Sequence, residues 1–254
     1  MTAMIEFEGV RAAYRARDVL VDMTFRIDSG ERVAVIGPNG AGKSSLLRAM
    51  TGTLRPRVGT VRLGGDPLAR LDRQAIARRL SVVPQAPALP FAARVEEVVG
   101  LGRLPHEDPF RGQRAADRAA VSAAIERVGI GALVGRDVRE LSLGERQLVL
   151  IAMALAQAAP VMVLDEPTVH LDLRHQVETM ALLVDLNERD GTTLVAVLHD
   201  LGLAGHFFPR LILLDQGAIV ADGPPDDVLA DERIRLVYGV DPAFVRRSVP
   251  LAAV

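Results

Sequence analysis

The stretch VAVIGPNGAGKSSLLRAMTG, residues 33–52, decides how this chain is read. Four apolar residues, Val33 to Ile36, run into a glycine-rich loop, and a segment with helical spacing follows until Gly52 ends it. The predicted order is buried strand, loop, helix. Gly37, Pro38, Asn39, Gly40, Ala41, Gly42, Lys43 and Ser44 fit the pattern G-x-x-x-x-G-K-[ST]. A triphosphate needs several backbone N–H groups aimed at it from close range, so side chains must be absent where the glycines stand. The loop opens a helix, whose positive end favours an anion. Lys43 then reaches the terminal phosphates as a point charge, and Ser44 offers its hydroxyl to Mg²⁺.

Composition narrows the field. The chain has 254 residues, 49% hydrophobic and 24% charged, which is a globular composition long enough for a sizeable core. Thirty basic residues face 32 acidic ones, a net charge of -2, so there is no bulk electrostatic drive onto nucleic acid. Cysteine is absent, which excludes disulfides, thiolate metal sites and a cysteine nucleophile. Of the 30 basic residues, 29 are Arg, and the single Lys is Lys43. A compact ammonium on a thin stem differs physically from a planar guanidinium fork, and the one exception falls in the phosphate loop. No run approaches the roughly 18 apolar residues of a spanning helix. The opening MTAMIEFEGVRAAYR shows no basic segment followed by an apolar one, so no signal peptide is expected. The expected compartment is the cytoplasm, with membrane contact peripheral or through a partner.

Outward from the loop, short β segments are expected at Met4 to Phe7, Met23 to Ile27, Arg32 to Ile36 and Thr60 to Leu63. From about Ala86 to Gln157 the chain is rich in Ala and Arg with helical spacing, as in QRAADRAAVSAAIERVGI, and Pro84, Pro87 and Pro90 punctuate its start. β signals then return as VMVLDEP, TTLVAVLHD, RLILLDQG and AIVADG, separated by helical stretches. That alternation argues for a parallel sheet covered on both faces. The tail from Pro224 reads as two short helices and a loose end.

In open parallel sheets, ligands sit beyond the carboxyl ends of the strands. VMVLDEP places Asp165 and Glu166 at such an end, where Asp165 suits Mg²⁺ through water and Glu166 suits orienting or deprotonating an attacking water. TTLVAVLHD ends a further strand with His199, where it can reach a γ-phosphate. Gln85 follows the strand LSVVP, and its carboxamide oxygen suits Mg²⁺ or a water.

The ordered set resembles the ATPase subunit of ABC transporters over nearly the whole chain. By that resemblance Tyr14 stacks on adenine, GPNGAGKSS (Gly37 to Ser45) is the Walker A loop, and Gln85 is the Q-loop glutamine. LSLGE, from Leu141 through Ser142, Leu143 and Gly144 to Glu145, stands in the signature position. VMVLDEP is Walker B, TVHLD resembles the D-loop ending in Asp172, and His199 is the switch histidine. The signature has its own physical logic, because LSLGE precedes the helical run RQLVLIAMALAQ and a helix start is another anion site. The family pairs two chains head to tail, so Ser142 and Gly144 would meet the γ-phosphate held by the partner. Leu143 departs from the family's usual Gly, and its side chain either lengthens those contacts or points away. Leu148 and Met153 stand where the family's signature helix usually carries Arg.

The resemblance implies an α/β P-loop NTPase fold of the ABC ATPase type: a mainly parallel sheet core, an N-terminal antiparallel β subdomain and a helical subdomain. It implies one ABC ATPase domain over 1–254, with the core at about 1–85 and 158–254 and the helical part at about 86–157. VPQAPALPFAARVEEVVGLGRLPHEDPF, TVHLD and GPPDDVLADERIRLVYGVD look like the importers of iron-siderophores, haem and cobalamin. The implied function is ATP hydrolysis, with ATP and Mg²⁺ as cofactors, that drives uptake. The implied partners are a second copy, a membrane permease and, indirectly, an extracytoplasmic substrate-binding protein, with no nucleic acid. The place is the cytoplasmic face of the plasma (inner) membrane. The alternative is a non-transport ABC ATPase, or an ATP-binding regulatory subunit with weak hydrolysis.

Overall fold

The computed structural model describes residues 2–85, 92–107 and 114–241. In chain order its strands and helices are β1 (Ala3–Tyr14), β2 (Arg17–Asp28), β3 (Arg32–Ile36), α1 (Lys43–Met50), β4 (Val58–Leu63), β5 (Asp66–Pro67), α2 (Arg73–Ala77), β6 (Leu80–Val83), α3 (Val95–Gly100), α4 (Ala115–Val128), α5 (Leu143–Ala156), β7 (Val161–Asp165), α6 (Leu173–Asp190), β8 (Thr193–Val197), α7 (Leu201–Phe207), β9 (Arg210–Asp215), β10 (Ala218–Gly223), α8 (Pro225–Val228) and α9 (Asp231–Tyr238). The chain forms two compact units, Met1–Leu71 with Val184–Val254, and Asp72–Leu183.

The first unit holds an antiparallel sheet in the order β2-β1-β4-β5 and a second run of strands in the order β10-β9-β3-β8. β3 pairs in parallel with both β8 and β9, while β10 closes the edge antiparallel to β9. Val33 to Ile36 and Thr193 to Val197 are wholly buried, as strands covered on both faces must be. β1 and β2 are each 12 residues long, far longer than the short segments legible in the sequence. Register shifts around Val10 and Ala12 break the strict alternation that a sequence reading relies on, so pairing continues where the pattern lapses. Inside this sheet Phe7 faces Phe25 across the strands, the rings stacked 4.7 Å apart. Arg210 ties β9 to its surroundings, donating to both carboxylate oxygens of Asp222 at 2.7 Å and to Glu31 Oε2 at 3.1 Å.

The second unit carries the parallel pair β6–β7 and the helices α3, α4 and α5. Val95, Val98 and Val99 of α3, Val121 and Ile125 of α4, and Leu150 and Ile151 of α5 are buried. The helical stretch expected over about 86–157 lies within this unit; residues 86–91, with Pro87 and Pro90, and residues 108–113 are outside the described ones. A buried polar network ends α5: Arg103 Nε donates to Asp117 Oδ1 at 3.0 Å and its Nη1 to the carbonyl of Ala156 at 2.7 Å. Gln157 Nε2 reaches the carbonyl of Leu80 at 3.0 Å, joining the end of α5 to β6. Carbonyls at a helix end lack partners inside the helix, and here a buried guanidinium supplies one. The tail gives the two short helices α8 and α9; the residues after Asp241 are outside the described ones. Among the described residues, no helix is long and apolar enough to cross a membrane.

Phe7 is 1% exposed and its ring is half of the stacked pair, so truncation leaves a cavity in the antiparallel sheet. Phe7→Ala is expected to destabilise the protein by about 3–5 kcal/mol in urea unfolding. A change below about 0.5 kcal/mol, the scale of an ordinary surface substitution, would contradict this packing.

Candidate functional site

In the first unit the site begins where β3 leaves the sheet. A Cβ on Gly37, which holds φ 149°, would lie 2.2 Å from the carbonyl oxygen of Leu214. One on Gly42, at φ 106°, would lie 2.8 Å from the carbonyl of Val19. Backbone crowds both positions, so only glycine fits and the loop keeps its bare amide surface. Lys43 opens α1 and is 6% exposed; its Nζ donates to the carbonyls of Gly37 at 2.6 Å and Pro38 at 3.0 Å. The ammonium thus lies in the curve of its own loop, on oxygens a phosphate could replace. Asn39, Gly40 and Ser44 are exposed, Pro38 and Ser45 half-buried, and Ala41 buried. α1 is anchored from below by Leu46, Leu47, Ala49 and Met50, all buried.

His199 arrives at the same strand end. Val35 pairs with Val197 in the parallel register, and Leu198 N donates to the carbonyl of Val35 at 3.1 Å. Gly37 and His199 therefore stand two residues beyond the same rung of neighbouring strands. Asp200, next in the chain, caps α7 by accepting from the backbone N–H of Gly202 and Leu203. Tyr14, at the end of β1, is 40% exposed. Its hydroxyl accepts from Arg48 Nη1 at 2.9 Å, and that guanidinium carbon lies 5.8 Å from the ring centroid. The sequence reading had no signal for Arg48, because the contact joins residues 34 apart in the chain.

In the second unit, β6 and β7 run parallel with Val83 opposite Leu164. Gln85 and Glu166 each lie two residues past that rung, and Gln85 Nε2 donates to Glu166 Oε2 at 2.6 Å. Asp165 ends β7 itself. Glu166 holds φ 50°, the left-handed region that a side chain seldom adopts, and His170 in the following turn holds φ 65°. The turn ends at Asp172, whose Oδ1 accepts the backbone N–H of His175 at 2.9 Å and lies 2.8 Å from His175 Nδ1. The backbone N–H of His175, and then its ring, hold the Asp172 carboxyl below the usual carboxylate range. An ionised carboxylate only accepts, so Nδ1 carries the proton.

The LSLGE stretch opens a helix, as expected from its sequence. Ser142 caps α5: its Oγ accepts from Glu145 N at 3.2 Å, and its own N–H donates to Glu145 Oε2 at 2.7 Å. That backbone bond, ahead of the Ser142 hydroxyl, lowers the Glu145 carboxyl pKa. Leu141 is buried and Gly144 is buried, but Leu143 is 57% exposed, so its side chain extends outward from the helix start. His175 and Gln176 were missed by the sequence reading; the spacing of Asp172 to His175, that of a cap to the third helical residue, was the available signal.

The pattern of the ABC transporter family matches residues 20–169. The cobalamin import ATP-binding protein of Halobacterium salinarum is 41% identical over 245 residues, covering 94% of this chain; the chain spans 61% of that relative's length. The ferric enterobactin transport ATP-binding protein of Escherichia coli strain K12 is 40% identical over 238 residues, covering 94% of this chain and 88% of that protein. A solved dimer of an ATP-binding cassette in a post-hydrolysis state, bound to ADP and Pi, superposes with a TM-score of 0.74 at 28% identity, covering 87% of this chain and 99% of that one. With more than half of its length matched by the family pattern and relatives near 40% identical, the chain belongs to the ABC transporter family.

Proposed function

We propose that this chain hydrolyses ATP as the nucleotide-binding subunit of an importer, pairing head to tail with a second copy on a membrane permease. The observation that carries the reading is the phosphate loop, where backbone crowding enforces glycine and the chain's only Lys lies in the loop's curve. Such a surface suits a polyanion and few other ligands. The cobalamin and ferric enterobactin relatives support a metal-chelate cargo, an iron-siderophore, haem or cobalamin, selected by the permease and by an extracytoplasmic binding protein. The dimeric cassette bound to ADP and Pi supports the pairing. The place of work is the cytoplasmic face of the plasma (inner) membrane.

Each residue has a part. Tyr14 stacks on adenine, and the amides from Gly37 to Ser45 hold the phosphates with Lys43. Ser44, Gln85 and Asp165 offer only oxygen donors, the hard set that Mg²⁺ takes. Held by these residues, Mg²⁺ would supply positive charge against the phosphates. Hydrolysis forms a bond from water oxygen to the γ-phosphorus and breaks the bond from that phosphorus to the bridging oxygen, leaving ADP and phosphate. Glu166 takes the water's proton. Gln85 orients the Glu166 carboxylate through its amide N–H, which leaves the amide oxygen on the other side for the cation. His199 donates to the γ-phosphate, and Leu141 to Glu145 of one chain, with Ser142 and Gly144 foremost, close over the nucleotide held by the other. Asp172 lies in the D-loop at that junction. Leu143 is exposed at the start of α5.

Glu166→Gln keeps the shape of the site and removes the proton acceptor. Phosphate release is expected to fall by about 100-fold or more, while ATP binding stays near the parental value and ATP traps a dimer visible by light scattering. Phosphate release at the parental rate would contradict the role of Glu166. Tyr14→Ala removes the stacking surface and is expected to weaken ATP binding about tenfold in an equilibrium titration, in line with one lost base–aromatic stack. An unchanged dissociation constant would remove Tyr14 from the nucleotide site.

A further inference from the structure

The turn after the carboxylate pair is held from two sides. Asp172 caps α6 through the backbone N–H of His175 at 2.9 Å, and the imidazole Nδ1 adds a second bond to the same oxygen at 2.8 Å. On the other side, Gln176 Nε2 donates to the carbonyls of Leu171 at 3.2 Å and Thr168 at 3.4 Å. Between them His170 keeps its left-handed backbone. Two consecutive residues therefore clamp a turn whose own conformation is unfavourable.

The other edge of the His175 ring meets the signature. A Cβ built on Gly144 would lie 3.0 Å from His175 Cδ2, 3.3 Å from Cγ and 3.6 Å from Nε2. Gly144 is buried, in the first turn of α5. A side chain at this position would press on the ring, which would have to give by a few tenths of an ångström, so the glycine fits the ring within its own chain, apart from any contact with phosphate. The imidazole lies between two elements far apart in sequence, with its donor edge on Asp172 and its carbon edge on Gly144.

We infer that His175 is a positioning residue that fixes the Asp172 turn against the start of α5, so that the two surfaces one chain offers to a partner's nucleotide are presented as a single rigid edge. The inference rests on the proposed ATP-driven pairing. Its chemistry is separable, because the two edges of the ring can be removed one at a time. His175→Asn retains a short donor near Asp172 and loses the edge on Gly144. His175→Leu retains bulk against Gly144 and loses the donor. His175 is half exposed at a helix start, so neither change empties a core.

The test places each variant in the full-length Glu166→Gln chain and measures two quantities: ATP-dependent dimerisation by sedimentation, and ATP affinity at a protein concentration below dimerisation. Both variants are expected to lower the dimer association constant by about tenfold or more, the scale of coupling between residues in direct contact. ATP affinity and the unfolding midpoint should stay at the Glu166→Gln values, since the phosphate loop is untouched; a general loss of structure would move all three. Dimerisation of both variants at the strength of Glu166→Gln alone would overturn the inference. A Glu166→Gln chain that binds ATP yet stays monomeric would overturn the pairing itself, and the role of His175 with it.

Discussion

A backbone that must lie close to a polyanion cannot carry side chains where the chain doubles back on itself. At Gly37 and Gly42 the fold itself also forbids a side chain, because a Cβ there would collide with the carbonyls of Leu214 and Val19. Much else in the first unit serves to hold the loop in that place. β3 is buried from Val33 to Ile36 and paired in parallel on both sides, so its end is fixed by two neighbours. α1 is pinned by four buried apolar residues, so the amides at its start have little freedom. Lys43 is then directed by geometry, with its stem buried and its ammonium on the loop's own carbonyls.

Parallel register does for the second unit what glycine does for the first. β6 and β7 align Val83 with Leu164, and two residues further on each strand delivers a polar side chain to the same place. The 2.6 Å bond from Gln85 to Glu166 follows from that alignment. It orients the carboxylate before any substrate arrives, the preorganisation that the proposed general base would need. The left-handed backbone at Glu166 and His170 shows that the chain accepts local strain where it turns away from the strand end, and the cap at Asp172 and the carboxamide of Gln176 hold that strain in place.

What was legible in the sequence was local. The strand–loop–helix order of residues 33–52, the helix start after LSLGE, and the carboxylates closing an apolar run are encoded within a few residues, and periodicity or spacing exposes them. The sequence read short β segments where β1 and β2 run for 12 residues each, because bulged pairing is set by the partner strand and not by alternation. The contacts that escaped were those between distant residues: Arg48 on Tyr14, Arg103 on Asp117 and Ala156, and His175 on Gly144. A histidine three places after an aspartate suggests a cap, but nothing in the string LDLRHQ says that the ring packs against a glycine some thirty residues earlier. Leu143 illustrates the same limit, since only the structure shows that its side chain is exposed.

The proposed capture of ATP depends on the grip of the loop around Lys43. The most direct measurement is an equilibrium titration of Lys43→Ala with ATP, beside a thermal melt that confirms the fold. Removing the ammonium takes away a positive charge that lies in the loop, and ATP affinity should fall by about 100-fold or more. An alanine variant that binds ATP as tightly as the parent and still releases phosphate would contradict the assignment of this loop as the nucleotide site.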